Sequence, residues 1–173
     1  MDNKTKKMTF MCILVAQALV LFIVESMIPI PFIAPGAKLG LANIVTIIAL
    51  YTLSLKETIT IIFLRLVLSM FFGGNVSMLM YSISGAIFSL TIMLIVKNLL
   101  KDKVSIIGVS CAGAVFHNIG QIVVAASIVN TFGVTFYLPV LTIVGIFTGF
   151  FVGITSNYIL KHLQKLKITS VNL

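Results

Sequence analysis

The chain contains no tryptophan, two cysteines, four prolines and only four acidic residues in 173 positions. Each scarcity excludes something. Charged residues make up 9% of the sequence, against roughly 25% in soluble domains, so the chain cannot cover its own surface with charge in water. The acids Asp2, Glu25, Glu57 and Asp102 never fall within one helical turn of each other, so no D-D-x-x-D pattern exists to hold magnesium on a diphosphate. No G-x-x-x-x-G-K-S/T sequence is present to cradle nucleotide phosphates. The two histidines, His117 and His162, make neither a metal set nor a nucleophile–histidine–acid grouping, and no cofactor is expected. Cys12 and Cys111 lack C-x-x-C spacing and read as small packing residues.

What the sequence has is apolar length. Hydrophobic residues are 60% of the chain and the mean hydropathy is +1.19. Six apolar stretches, at 8–28, 39–55, 57–73, 76–97, 104–130 and 137–160, each approach the roughly 20 residues that cross a bilayer core. The expected architecture is an all-α polytopic membrane protein with one six-helix domain over 8–160. It is flanked by a basic tail at 1–7 and a second tail at 161–173. The first stretch is too long for the apolar region of a signal peptide, about 7–15 residues, and no A-x-A-like cleavage site follows it.

The lysines set the expected orientation. Six spans place Lys4, Lys6, Lys7, Lys56, Lys97, Lys101, Lys103, Lys161, Lys165 and Lys167 on one side. By the positive-inside rule that side is cytoplasmic, with both termini in the cytoplasm of a multi-pass cell-membrane protein. The net charge of +8 follows from this layout and from attraction to anionic lipid headgroups, so nucleic acid is not an expected partner. Lys38 stands against the pattern. It lies in the proline-rich connection 29–38, at the expected start of the second span, where a cation opposes both the topology rule and the helix dipole. Its ammonium, with the free amides of the next turn, would attract an anion from outside.

Polar residues inside the spans carry the functional reading, because an ionisable group in hydrocarbon costs at least roughly 2.5–3.5 kcal/mol for Arg or Lys. Glu25 lies near the outer end of its span and Asn43 about one turn inside the next. Arg65 and His117 lie near mid-span, Gln121 lies a turn closer to the outside, Asn118 neighbours His117 and Asn75 marks an outer turn. Apart from Gln17 the inner half has no comparable group, so the polarity converges on the outer half. His117 and Gln121 share a helix face at i, i+4 spacing. These groups together describe an outward-facing site. Plainer alternatives stand beside it: Glu25 and Arg65 as a mutually neutralising pair, and His117, Asn118 and Gln121 as interhelical hydrogen-bonders. Phe32, Phe71, Phe72, Phe132, Phe136 and Tyr137 gather on the same outer side, either as a pocket for a planar group or as an apolar rim. Gly145, Gly149 and Gly153 form a small-residue stripe suited to close helix packing.

The stretch Pro35-Gly36-Ala37-Lys38-Leu39-Gly40-Leu41-Ala42-Asn43-Ile44-Val45-Thr46, with Gly113-Ala114-Val115-Phe116-His117-Asn118-Ile119-Gly120-Gln121, resembles the Gx transporter family. Its members are often labelled heptaprenyl diphosphate synthase component I. That family in turn resembles the six-helix S components of energy-coupling-factor (ECF) transporters. The resemblance implies an outward substrate pocket under the loop 29–38, and docking onto a transmembrane scaffold subunit that works with two ATPases. It implies a non-enzymatic, substrate-binding membrane subunit for a small anionic, partly apolar compound such as a flavin- or quinone-related precursor. Lys38 and Arg65 would counter the anion, and Asn43, His117, Asn118 and Gln121 would hydrogen-bond it. Glu25 would tune Arg65 or bind a donor group. S components commonly carry A-x-x-x-A on the first helix, whereas here Ala16 is followed by Val20. The competing functions are a noncatalytic membrane subunit of a prenyl synthase and a proton-coupled secondary transporter using Glu25 or His117.

Overall fold

A computed structural model describes residues 3–27, 40–72 and 76–166. Lys38, the rest of the connection 29–38 and Asn75 lie outside the described residues. Among those described, the secondary structure is helical: α1 (Asn3–Ser26), α2 (Asn43–Thr52), α3 (Leu55–Phe71), α4 (Val76–Leu100), α5 (Ile106–Val129) and α6 (Leu138–Lys165). Short 3-10 turns at Lys101–Lys103 and Phe132–Tyr137 join the later helices. Four helical stretches, Lys4–Ser26, Val76–Leu100, Ile106–Val129 and Phe132–Lys165, are long and apolar enough to cross a membrane. The protein is therefore a helical membrane protein by length and composition.

The second expected span is where structure and expectation part. The apolar run suggests 39–55, but α2 has only 10 residues, roughly 15 Å at 1.5 Å per residue. Two local features cut it short. Gly40 takes a left-handed conformation with φ of +86°, and Leu53 is extended at φ −126° and ψ 170°. Ser54 then starts α3 with a capping box: its hydroxyl accepts from the Glu57 amide, and the Glu57 carboxylate accepts from the Ser54 amide. Apolar composition alone cannot register such a break, because the residues on both sides remain hydrophobic. α3, with 17 residues, is also short for a perpendicular crossing.

α2 is short because it is interior. Asn43 and every residue from Val45 to Leu50 are buried, and its Val45, Ile47 and Ile48 join Leu14, Ile61, Met93, Val109 and Leu160 from the surrounding helices in one core. Its ends are held by other helices. At the start, the Glu25 carboxylate of α1 accepts from the amides of Gly40 and Leu41. At the other end, the Lys97 ammonium of α4 donates to the Leu50 carbonyl at 2.7 Å and sits 4.2 Å from the Tyr51 ring centroid. A carboxylate at the N-terminus and an ammonium at the C-terminus both match the helix dipole.

α5 is the central helix of the second half, antiparallel to both neighbours. Gly145, Gly149 and Gly153 lie against its backbone: a Cβ added to them would come within 3.3, 2.6 and 2.7 Å of the Cα atoms of Val115, Cys111 and Ile107. The stripe therefore serves packing within the bundle, where close backbone approach maximises dispersion. α5 presents its own glycines to α4, with Gly113 under Met93 and Gly120 against the Ser84–Gly85 backbone.

One end of the bundle is basic. Lys7 of α1 pairs with Glu57 of α3, and Lys97 caps α2 close by in the fold. The buried Glu25, Asn43, His117 and Gln121 lie toward the other half, while the buried hydroxyls of Thr58, Ser110 and Ser156 lie nearer the basic end.

Candidate functional site

Five helices contribute to a polar cluster: Glu25 from α1, Asn43 from α2, Arg65 from α3, and His117 and Gln121 from α5, with Gly85 of α4 as its wall. All five polar side chains are at most 7% exposed. Their convergence follows from helix geometry, since Glu25 ends α1, Asn43 begins α2, and His117 and Gln121 are one turn apart.

Gly40 and Gly85 make room for the histidine. A Cβ on Gly85 would lie 2.6 Å from His117 Cε1 and 2.7 Å from Nδ1. On Gly40 it would lie 2.8 Å from Asn43 Nδ2 and 3.4 Å from His117 Cδ2. The imidazole is thus held between the turn that starts α2 and the backbone of α4, with Asn43 alongside. Sequence reasoning missed both glycines; small residues facing a polar one within an apolar run were the available signal.

The hydrogen bonding is uneven. Gln121 Nε2 donates to His117 Nε2 at 3.0 Å, which in this orientation leaves the ring proton on Nδ1. Asn43 Nδ2 has no hydrogen-bond partner among the described residues, while the Nδ1 edge of His117 faces the Gly85 backbone. Arg65 lies within electrostatic range of Glu25 and of His117, yet among the described residues its guanidinium makes no hydrogen bond and no close ion pair. A buried donor without an acceptor costs roughly 1–3 kcal/mol, more when charged. Asn43 Nδ2 is a buried donor in a cluster that also holds the Arg65 guanidinium, and an acceptor-bearing anion matches these two groups.

Two expected contributors stand apart. Asn118 points toward α6, where its Nδ2 donates to the Leu141 carbonyl at 2.8 Å beside Gly145; neighbouring residues on a helix are about 100° apart, so it cannot share the His117 face. The start of α2 is not an open anion cradle, because Glu25 already accepts from the Gly40 and Leu41 amides. The aromatics Phe71, Phe72, Phe132, Phe136 and Tyr137 are exposed.

No curated protein and no solved structure matches the chain. A family model does, over residues 14–159, a stretch that includes every member of the cluster. The chain belongs to the family described as heptaprenyl diphosphate synthase component I.

Proposed function

We propose that this protein is a membrane substrate-binding subunit that takes up a small anionic, partly apolar compound and passes it on with the help of a separate energy-coupling ATPase module. The observation that carries this reading is the burial of Arg65 beside Asn43 and His117, with Asn43 Nδ2 left without an acceptor among the described residues. Arg65 supplies the countercharge, Asn43 Nδ2 supplies a neutral donor, and Gln121 orients the imidazole beside them. The surrounding apolar side chains accommodate the rest of the ligand. Lys38 would add a second cation at the entrance, with both termini cytoplasmic and the cluster opening outward. Asn118 is assigned to packing against α6.

The family description suggests a second reading, a subunit of a polyprenyl synthase. Elongation chemistry needs carboxylates that hold magnesium on a diphosphate. Here the donor set does not fit that metal: the described residues contain no group of three metal-ligating side chains, and Glu25 and Glu57 are held at opposite ends of the bundle. In this second reading the chain is a noncatalytic membrane partner of a separate synthase.

Mass spectrometry of the purified protein separates the two. A bound anionic metabolite, lost with Arg65→Ala and weakened at least tenfold by Asn43→Ala, supports substrate binding. Stoichiometric co-purification of a prenyl synthase without any metabolite selects the second reading. Retained affinity in the Arg65→Ala protein would show that the site lies elsewhere. Uptake that follows the proton gradient with no ATPase present would select secondary transport instead.

A further inference from the structure

Many hydroxyls in this bundle bond back to the turn before them. Thr52, Thr58, Thr60, Ser127, Thr142 and Thr155 each donate to the carbonyl four residues earlier, a local way of satisfying a hydroxyl on a helix. Ser84 instead donates across to the Gly120 carbonyl of α5 at 2.7 Å. Ser89, Ser110 and Ser156 do neither. They are at most 1% exposed, and their hydroxyls have no hydrogen-bond partner among the described residues. A buried hydroxyl without a partner is costly, so each calls for a group that can donate to it and accept from it.

The glycine contacts fix where these three serines lie. Gly113 under Met93 and Gly120 against Ser84 and Gly85 set the antiparallel register of α4 and α5. Ser89 is therefore level with His117, one turn nearer the basic end than Gly85. Gly149 against Cys111 and Gly153 against Ile107 set the register of α6, and Ser110 Cβ lies 3.0 Å from a Cβ built on Gly153. Ser156 follows Gly153 by almost one turn, which leaves Ser110 and Ser156 roughly 9 Å apart in depth between Cα atoms. Side chains lean toward the start of their own helix, so across this antiparallel pair the two hydroxyls lean toward each other. Met93 is fully buried. It stands between Ser89, one turn before it on α4, and Ser110, one turn before the Gly113 that it covers.

We infer that the interfaces among α4, α5 and α6 bind internal water at two places. One lies between Ser110 and Ser156, where water bridges the two hydroxyls; the other lies at Ser89, level with His117. Water donates and accepts at once, as a hydroxyl pair on two helices requires. A bare cation does not fit, because three hydroxyls at different depths on three helices cannot encircle one ion. The neighbouring core side chains Met93, Val109 and Val152 are apolar, so the hydroxyls are the anchoring groups. The two places carry polarity from the buried cluster toward the basic end, with Met93 as an apolar step between them. The inference is independent of which ligand the cluster takes.

Radiolytic oxidation tests this on the unaltered full-length protein in detergent. A brief X-ray pulse turns bound water into hydroxyl radicals that react where they form, so Met93 reports on its own surroundings. Although fully buried, Met93 should form sulfoxide at a rate comparable with that of the exposed Met8. In the Ser89→Ala/Ser110→Ala protein Met93 should lose most of this oxidation while Met8 keeps it. Thermal unfolding adds a test of sign. Ser110→Ala and Ser156→Ala should each lower the midpoint by about 2–4 °C, although alanine is the better helix former. The double variant should lose less than the sum, because both hydroxyls hold the same water. A Met93 that stays unoxidised in the unaltered protein overturns the inference. So do midpoints that stay level or rise on Ser→Ala, the response of dry hydroxyls. Strict additivity overturns the bridge between Ser110 and Ser156. A midpoint that rises with sodium or potassium chloride, but not with choline chloride, overturns water in favour of a bound cation.

Discussion

His117 is fixed by what its neighbours lack. Gly85 and Gly40 leave room for the ring because neither carries a Cβ, while Gln121 Nε2 donates to its Nε2. Gly85→Ala should therefore destabilise the protein by about 1–3 kcal/mol through overpacking, read as earlier thermal unfolding in detergent. Because the methyl group collides with the imidazole alone among the nearest atoms, His117→Ala in the same chain should recover more than half of the loss. Strict additivity of the two changes would mean that the ring and Gly85 do not share the space. At this scale the sequence was informative about identity and poor about direction. Glu25, Asn43, Arg65, His117 and Gln121 stood out as polar groups in apolar runs. Nothing in the string indicates that Glu25 spends its oxygens on the Gly40 and Leu41 amides, or that Asn118 turns to Leu141.

Among the helices, α2 shows how tertiary contacts alter an element. Ten residues of mostly β-branched and apolar side chains would be marginal as an isolated helix, since nucleation is unfavourable and short helices gain few bonds. Burial on nearly every face and the charges at its two ends sustain it here. Lys97 supplies the C-terminal charge and donates to Leu50. Lys97→Met keeps the aliphatic bulk but removes the ammonium, and should cost about 1 kcal/mol or more. Thermal unfolding measures the loss; an unchanged midpoint would show that the α2 carbonyls do not depend on Lys97. The glycine stripe on α6 was legible because its spacing of four is regular and small residues have one main use between membrane helices. The matching surfaces on α5 and α4 lack such a regular repeat and emerged only from the packing.

For the molecule as a whole, the contrast between a basic end and a polar, weakly charged half is the organising feature. The Lys7–Glu57 and Lys97–Leu50 contacts tie the start of α1, the start of α3 and the end of α4 together at that basic end. This layout predicts sidedness. In a protein with Cys12 and Cys111 replaced by alanine, single cysteines at Lys4, Ser54 and Lys101 should react with a membrane-impermeant maleimide from one side. Cysteines at Met27 and Phe132 should react from the other. Labelling of Ser54→Cys from the side opposite Lys4→Cys would contradict the arrangement, and with it the orientation proposed for the cluster.

Membrane residence was already determined by the sequence, because apolar runs and scarce charges leave no alternative solvent for the chain. The sequence likewise marked the side chains that are costly to bury, since each such residue in a hydrocarbon-length run demands a partner wherever it ends up. Only the tertiary structure decided that the second run is a buried ten-residue helix, because a left-handed glycine and an extended leucine break it without changing its hydropathy. It also decided which polar groups meet, since contact between α1, α2, α3 and α5 depends on how helices cross. A one-dimensional pattern does not encode that crossing.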